Sequence, residues 1–314
     1  MRKDAKILVT GTSGMVGKTL VDIMKNKSYT RVLEPTHSCL DLLDSDSVNE
    51  YFNIHNPEYV FMIAARVGGI SANIKNPVEF LSDNLQMQIN LFKACHTHRI
   101  EKSLFLGSSC IYPRLCEQPM KEEYLLTGPL EPTNEGYAIA KIAGLKLAEY
   151  YHKQHGMMTI CPMPCNIYGT NDHYNLERSH VLSALVMRFV DARDENKKNV
   201  TLWGTGSAKR EFIHSVDVAK SMIFLMNNYN STDIVNVGTG TDITIRNLAN
   251  LIRNSVGFKG DILWDESKPD GMPRKCLDTT KLSSLGFAPQ ISLEDGITRT
   301  ISEYTAIKSK RLST

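Results

Sequence analysis

The chain has 314 residues, 42% apolar and 22% charged, with a formal net charge of +2. That composition suits a globular protein with a sizeable core, and the scattered Lys and Arg exclude a basic tract built for nucleic acid or a membrane surface. No apolar run reaches the roughly 18 residues of a membrane span; seven cysteines without a C-x-x-C pair support neither a disulfide framework nor a zinc site.

The N-terminus runs straight into a strand pattern without a signal-peptide core, so a reducing cytoplasm is the expected compartment and no metal is expected. The basic end KSKRLST reads as a frayed, solvated tail.

Along the chain, apolar runs alternate with helical patterns. KILV (6–9), residues 32–33, YVFMI (59–63), SLFL (103–106) and MTIC (158–161) read as strands. Residues 16–25, 45–54, 84–98 and 137–152 carry apolar residues at helical spacing. Such alternation predicts an α/β fold, a Rossmann-like doubly wound parallel sheet with helices on both faces. After about residue 166 strands become sparse and polar loops take over. A smaller α/β substrate-binding domain is therefore expected over 167–314. Residues 215–239 return to the dinucleotide-binding domain of 1–166, through a helical stretch (217–226) and DIVNV (233–237). No internal repeat or low-complexity segment is present.

The stretch GTSGMVG (11–17) follows the first strand and opens the first helix. Gly11 permits a tight turn, Gly14 lets a pyrophosphate approach the backbone, and Gly17 lets helix and strand pack closely. The helix N-terminus adds unpaired N–H groups and a positive dipole end for phosphates. Thr12, Ser13, Met15 and Val16 complete this cofactor turn. After the second strand, Glu34 favours the ribose diol of NAD, whereas His37, Ser38 and Ser13 suit a 2′-phosphate. The residues leave NAD and NADP both open.

Tyr137 and Lys141 lie at i and i+4 on one helix face, where an ammonium lowers the phenol and makes it a usable proton donor. Ser108 ends a strand and can hydrogen-bond a carbonyl. Cys110, two residues on, has no place in simple hydride transfer. Cys39, Cys95, Cys161 and Cys276 read as buried structural thiols, and Cys165 as a residue that shapes the nicotinamide pocket.

GTSGMVGK, ARVGGISAN, LFLGSSCIYP, LEPTNEGYAIAKIAG, RSHVLSALVMRF, WGTG, REFIHSVD, VNVGTG and SKPDGMPRK together resemble the GDP-L-fucose synthases, GDP-4-keto-6-deoxy-D-mannose 3,5-epimerase-4-reductases of the extended short-chain dehydrogenase/reductase superfamily. The resemblance runs from the first strand to about residue 290. It implies an NADP-dependent homodimer, paired through the helices around 84–98 and 137–155, that epimerises C3 and C5 and then reduces C4. It places the catalytic roles on Ser108, Cys110, Tyr137, Lys141 and His180. Cofactor contacts fall, beyond the glycine turn and His37, on Ala64, Leu106, Tyr137, Lys141, Pro164, Asn166, Ile167 and His180. Substrate contacts fall on Arg188, Trp203, Arg210, Asp270 and Lys275.

Two departures stand out. Thr12-Ser13 and EPTHS replace the arginines that bacterial members carry for a 2′-phosphate, so NADPH is the family expectation and Glu34 leaves room for NADH. Gly136 precedes Tyr137 and is expected to loosen that helix start. The alternatives are a 4-keto reductase of another nucleotide sugar without epimerase activity, such as a GDP-heptose, and a non-catalytic nucleotide-binding protein.

Overall fold

The computed structural model describes residues 1–172, 174, 180–268 and 270–312, with side chains through 310. His173, residues 175–179, Pro269, Ser313 and Thr314 lie outside the described residues. They include most of the RSH stretch before His180 and the end of the basic tail.

The first half builds β1 (Ile7–Val9), α1 (Met15–Asn26), β2 (Val32–Leu33), α2 (Ser45–His55), β3 (Tyr59–Met62), α3 (Ile70–Lys75), α4 (Pro77–Thr97), β4 (Lys102–Phe105), α5 (Glu135–His155) and β5 (Thr159–Ile160). These five strands form one parallel sheet in the order β2-β1-β3-β4-β5. β1, β3 and β4 are buried along their whole length, as helices on both faces require.

The chain continues through β6 (Pro162–Pro164), β7 (Asn166–Tyr168), α6 (Val181–Asp194), β8 (Asn199–Trp203), β9 (Lys209–His214), α7 (Ser215–Asn228) and β10 (Val235–Val237). It ends with β11 (Asp242–Thr244), α8 (Ile245–Val256), β12 (Asp261–Asp265), β13 (Arg274–Lys275), α9 (Thr280–Ser284) and α10 (Leu293–Leu312). α7 packs on α1 and β4, α2 and α5 pack on α4, and β10 pairs in parallel with β6. Lys102, buried on β4, fixes α7 in place. Its ammonium donates to the Met226 and Tyr229 carbonyls and to Asn230 Oδ1, a cation set where a helix C-terminus is negative.

The expectation of sparse strands after residue 166 is corrected. β9 pairs with β7, β11 and β13, and β12 pairs with β8. These strands are short, and apart from β9, buried over Glu211–His214, none carries a continuous buried run. β8 buries only Val200 and Leu202 and turns Asn199, Thr201 and Trp203 outward, so no continuous apolar run marks it. A second apolar core gathers here around Leu182, Phe189, Leu202, Leu248 and Ile297.

Two smaller expectations also change. Cys39 is exposed, in the loop after β2, where no helix covers the chain. Gly136 does not loosen its helix: it lies inside α5, and a Cβ there would stand 3.1 Å from the Pro77 carbonyl, so its small size lets α5 approach the start of α4.

Candidate active site

The glycine turn is held by Thr10 at the end of β1. Its Oγ1 donates to the Phe61 carbonyl and accepts from the Ile63 and Ala64 amides at 3.1 and 3.2 Å. Gly11 follows with φ +72°, and a Cβ there would lie 2.8 Å from the Ala64 backbone. At Gly17 a Cβ would lie 2.2 Å from the Gly11 carbonyl. Gly14 differs: a Cβ would meet only the Gly11 carbonyl, at an ordinary 3.5 Å. Packing therefore demands glycine at 11 and 17, whereas glycine at 14 keeps the outer face of the turn low. No side chain caps α1 and no acid sits in its first turn, so its positive end is unopposed. Gly17→Ala must push α1 off the turn. Dinucleotide affinity is expected to fall about tenfold or more, as a misplaced helix N-terminus loses its phosphate contacts; calorimetric titration with NADPH measures it.

Beyond β2, the Glu34 carboxylate is paired with Lys25 at the end of α1. Thr36 and Ser38 share a hydroxyl hydrogen bond of 2.9 Å, and His37 points into solvent, 3.8 Å from Asp41. The acid that the sequence offers for a ribose is therefore already partnered by a cation.

Ser108 follows β4 in the loop beyond Phe105 and starts a short 3-10 turn over Ser109–Ile111, its Oγ accepting from the Cys110 amide. The Tyr137 phenol, on the first turn of α5, lies near the Ser108 hydroxyl. Lys141, one turn further along α5, is fully buried and donates to the Leu106 carbonyl at 2.7 Å. Burial lowers its pKa to about 7, with the Cys110 charge opposing. Burial, aided by the Cys110 charge, drives the Tyr137 phenol well above its ordinary value, against the Ser108 hydrogen bond. The expectation that Lys141 lowers the phenol is thus corrected for the protein by itself, because a lysine desolvated this far carries only part of its charge at neutral pH. Tyr137 stays protonated, the form a proton donor needs.

Cys110 is half-buried. Its sulfur accepts from Asn134 Nδ2 at 3.2 Å and Lys275 Nζ at 3.4 Å. Burial alone would push the thiol up; the Lys275 charge and the hydrogen bonds from Ser108, Lys275 and Asn134 outweigh it and hold the thiol below its ordinary value. Asn134 stands at the N-cap of α5 yet makes no cap bond with its side chain, which turns to the sulfur instead. Beside it a cavity of about 240 Å³ opens, lined by Asn73, Phe80, Pro132, Asn134 and Tyr137.

The other sequence candidates spread over neighbouring elements. His180 is the exposed N-cap residue of α6; no hydrogen bond joins it to Ser108, Cys110 or Tyr137. On α6, Arg188 donates to the Thr201 carbonyl of β8. Trp203 ends β8 and is 60% exposed, with the Lys268 ammonium 5.8 Å from its ring centroid. Arg210 reaches the Asp270 carbonyl, and burial lowers its pKa. The Asp270 carboxylate is spent on Thr205, accepting from its amide and hydroxyl, so it shapes the turn after Trp203. Lys275 is the register partner of Arg210. Pro164 lies on β6, and Asn166 and Ile167 on β7; Asn166 donates to the Glu211 carbonyl. Cys165 between them is buried, and burial raises its thiol.

Sequence reasoning missed Asn134 as a partner of the thiol, although it stands in the quoted EPTNEGY stretch. It also missed Glu211, fully buried on β9. The Glu211 carboxylate accepts from the Thr239, Gly240 and Leu277 amides, tying the loop after β10 and the chain after β13 to β9.

Among the described residues no group of His, Cys, Asp and Glu is placed to hold a metal ion, and no helix is long and apolar enough to cross a membrane.

Residues 7–238 match the NAD dependent epimerase/dehydratase family. A putative GDP-L-fucose synthase 2 of Arabidopsis thaliana is 49% identical over 97% of this chain and 93% of its own length. A GDP-L-fucose synthase of Escherichia coli (strain K12) is 43% identical over 94% of this chain and 95% of its own. Among solved structures, a GDP-mannoheptose C4 reductase from Campylobacter jejuni with NADP bound superposes with a TM-score of 0.90. It is 33% identical and covers 98% of this chain and 99% of its own.

Proposed function

The chain belongs to the NAD dependent epimerase/dehydratase family, and on that footing we propose that it converts GDP-4-keto-6-deoxy-D-mannose to GDP-L-fucose. Epimerisation at C3 and C5 precedes reduction at C4. The names and identities of its relatives support this substrate. The observation that carries it is Cys110, a thiol held by an ammonium and an amide beside Ser108 and Tyr137. Reduction alone has no use for a base at that point.

The residues fit a bound dinucleotide: the Gly11–Gly17 cradle would be filled by a single Cβ at Gly17, and the positive end of α1 faces it unopposed. Residues 11–17 would hold the pyrophosphate, with Ser13, His37 and Ser38 toward a 2′-phosphate. Ala64, Leu106, Tyr137, Lys141, Pro164, Asn166, Ile167 and His180 would surround the nicotinamide. Bound NADPH supplies the hydride for C4. The pairing of Glu34 with Lys25 weakens the case for NADH.

The chain's own groups then divide the work. Ser108 and Tyr137 hydrogen-bond the C4 keto oxygen, which makes the protons at C3 and C5 acidic. The Cys110 thiolate takes such a proton. The C–H electron pair moves into the ring and onto the oxygen, where Ser108 and Tyr137 stabilise the enolate. His180 is the partner acid that returns a proton to the opposite face. In the reduction Tyr137 protonates the C4 oxygen. Arg188 and Arg210 grip the diphosphate, Trp203 offers a flat apolar face, and Asp270 and Lys275 support that end of the site.

Residues 1–166 with 215–239 form the dinucleotide-binding domain on this reading, and 167–314 mainly the substrate-binding domain. Ile89 on α4 and Ile139 and Tyr150 on α5 are exposed, which suits a homodimer paired through these helices. All seven cysteines are free, which suits a reducing cytoplasm.

The test is one reaction in heavy water with GDP-4-keto-6-deoxy-D-mannose and unlabelled NADPH, followed by NMR and mass analysis. Reduced sugar carrying deuterium at both C3 and C5 is expected. Reduced sugar without deuterium overturns the epimerase half and leaves a plain reductase, the activity named for the similar heptose enzyme.

A further inference from the structure

We propose that Lys275 is the positioning residue that holds Cys110 as a thiolate and aims it, with Asn134 as the second donor; this rests on the reading of Cys110 as a base. Lys275 reaches the sulfur from β13. Its Nζ lies 3.4 Å from the sulfur, and Asn134 Nδ2 lies 3.2 Å away from another direction. Two donors and the Cys110 amide bond to Ser108 leave the sulfur little freedom to turn. An anion so held is oriented before substrate arrives.

The backbone that carries Lys275 is itself pinned on both sides. The Pro273 carbonyl accepts from the Lys209 amide at 2.8 Å, and Arg274 is paired with Asp242. The Cys276 amide donates to Gln118 Oε1 and its carbonyl accepts from the Met120 amide. The Leu277 amide donates to buried Glu211. A lysine delivered from so fixed a strand spends little conformational entropy in meeting the sulfur.

The titratable groups that face the thiol are Lys275 from β13 and Lys141 and Tyr137 from α5. Lys141 already donates to the Leu106 carbonyl, and burial drives it toward neutrality. Tyr137 stays protonated. Lys275 is therefore the cation that compensates the thiolate. Its neighbour in register, Arg210, is placed to serve the diphosphate instead.

The experiment measures the pH dependence of Cys110 alkylation by iodoacetamide in the full-length, substrate-free protein, read by peptide mass spectrometry. Wild type is compared with Lys275→Met, Lys275→Gln and Lys275→Arg. Circular dichroism and NADPH binding establish which variants fold. Met and Gln are expected to move the alkylation midpoint up by about one unit or more, and Arg to keep it near wild type. Solvent deuterium incorporation at neutral pH should fall with Met and Gln and recover at high pH, where the thiol ionises unaided. Should Met not fold, the Gln variant, of similar length and without charge, decides alone. A midpoint unchanged in a folded Met or Gln variant overturns the proposal. So does a raised KM with an unmoved midpoint, which a lysine that only gripped the diphosphate would give. Alkylation is independent of sugar chemistry. A shifted midpoint with no deuterium incorporation in wild type would therefore keep the lysine–thiolate pair and overturn only the base role of Cys110.

Discussion

Replacing Tyr137 by Phe is expected to lower the rate of C4 reduction by about 10³-fold, the usual worth of a positioned proton donor, while slow proton exchange persists. The phenol is kept protonated by burial and by the neighbouring Cys110 charge, so at neutral pH it is a donor in waiting. Removing its hydroxyl leaves the ring in place, and the Lys141 bond to the Leu106 carbonyl does not depend on it. On the proposed reading Ser108 would still polarise the keto oxygen, so exchange is expected to survive. It has no equally strong acid behind it, which is why reduction does not. NADPH absorbance follows reduction, and NMR in heavy water follows exchange in the same sample. Unchanged reduction would remove Tyr137 from the acid role.

Replacing Cys110 by Ser is expected to cut epimerisation by about 10²–10⁴-fold and to leave dinucleotide affinity within about twofold, as the glycine turn shares no partner with the sulfur. A serine hydroxyl is far too weak an acid for Lys275 and Asn134 to ionise. Those two donors would then face a hydroxyl where they now meet the sulfur. Calorimetry with NADPH and deuterium incorporation at C3 and C5 separate the two effects. A collapse of NADPH binding would make the cysteine structural instead.

What could be read from the sequence follows from where each signal resides. KILV, YVFMI and SLFL were legible because a parallel strand covered on both faces must be apolar throughout, and β1, β3 and β4 are such strands. The glycine turn was legible because Gly17 is demanded by the Gly11 carbonyl within the same short stretch and Gly11 by its positive φ, both written into the local spacing. β8 and β11–β13 were not, since none is buried along its whole length, and β9 was not because its buried run, Glu211–His214, mixes a carboxylate and an imidazole with its apolar residues. Cys39 was misjudged because residue type says nothing of an uncovered loop. The donors to Cys110 lay beyond reach for a different reason. Asn134 is 24 residues from it and Lys275 is 165, and spacing carries no record of a contact made by tertiary packing. The same holds for Glu211, whose partners lie 28 to 66 residues on.

That long separation bears on how the protein matures. Cys110 belongs to the first half of the chain, and the sheet around it can assemble from residues that leave the ribosome early. The ammonium that meets its sulfur arrives only when β13 has been made and docked beside β9. Contacts of such high sequence separation are among the last that a folding chain closes. A nascent or truncated chain ending before Lys275 therefore lacks the ammonium that meets the Cys110 sulfur. The set of donors around the sulfur is thus complete only when the whole fold is.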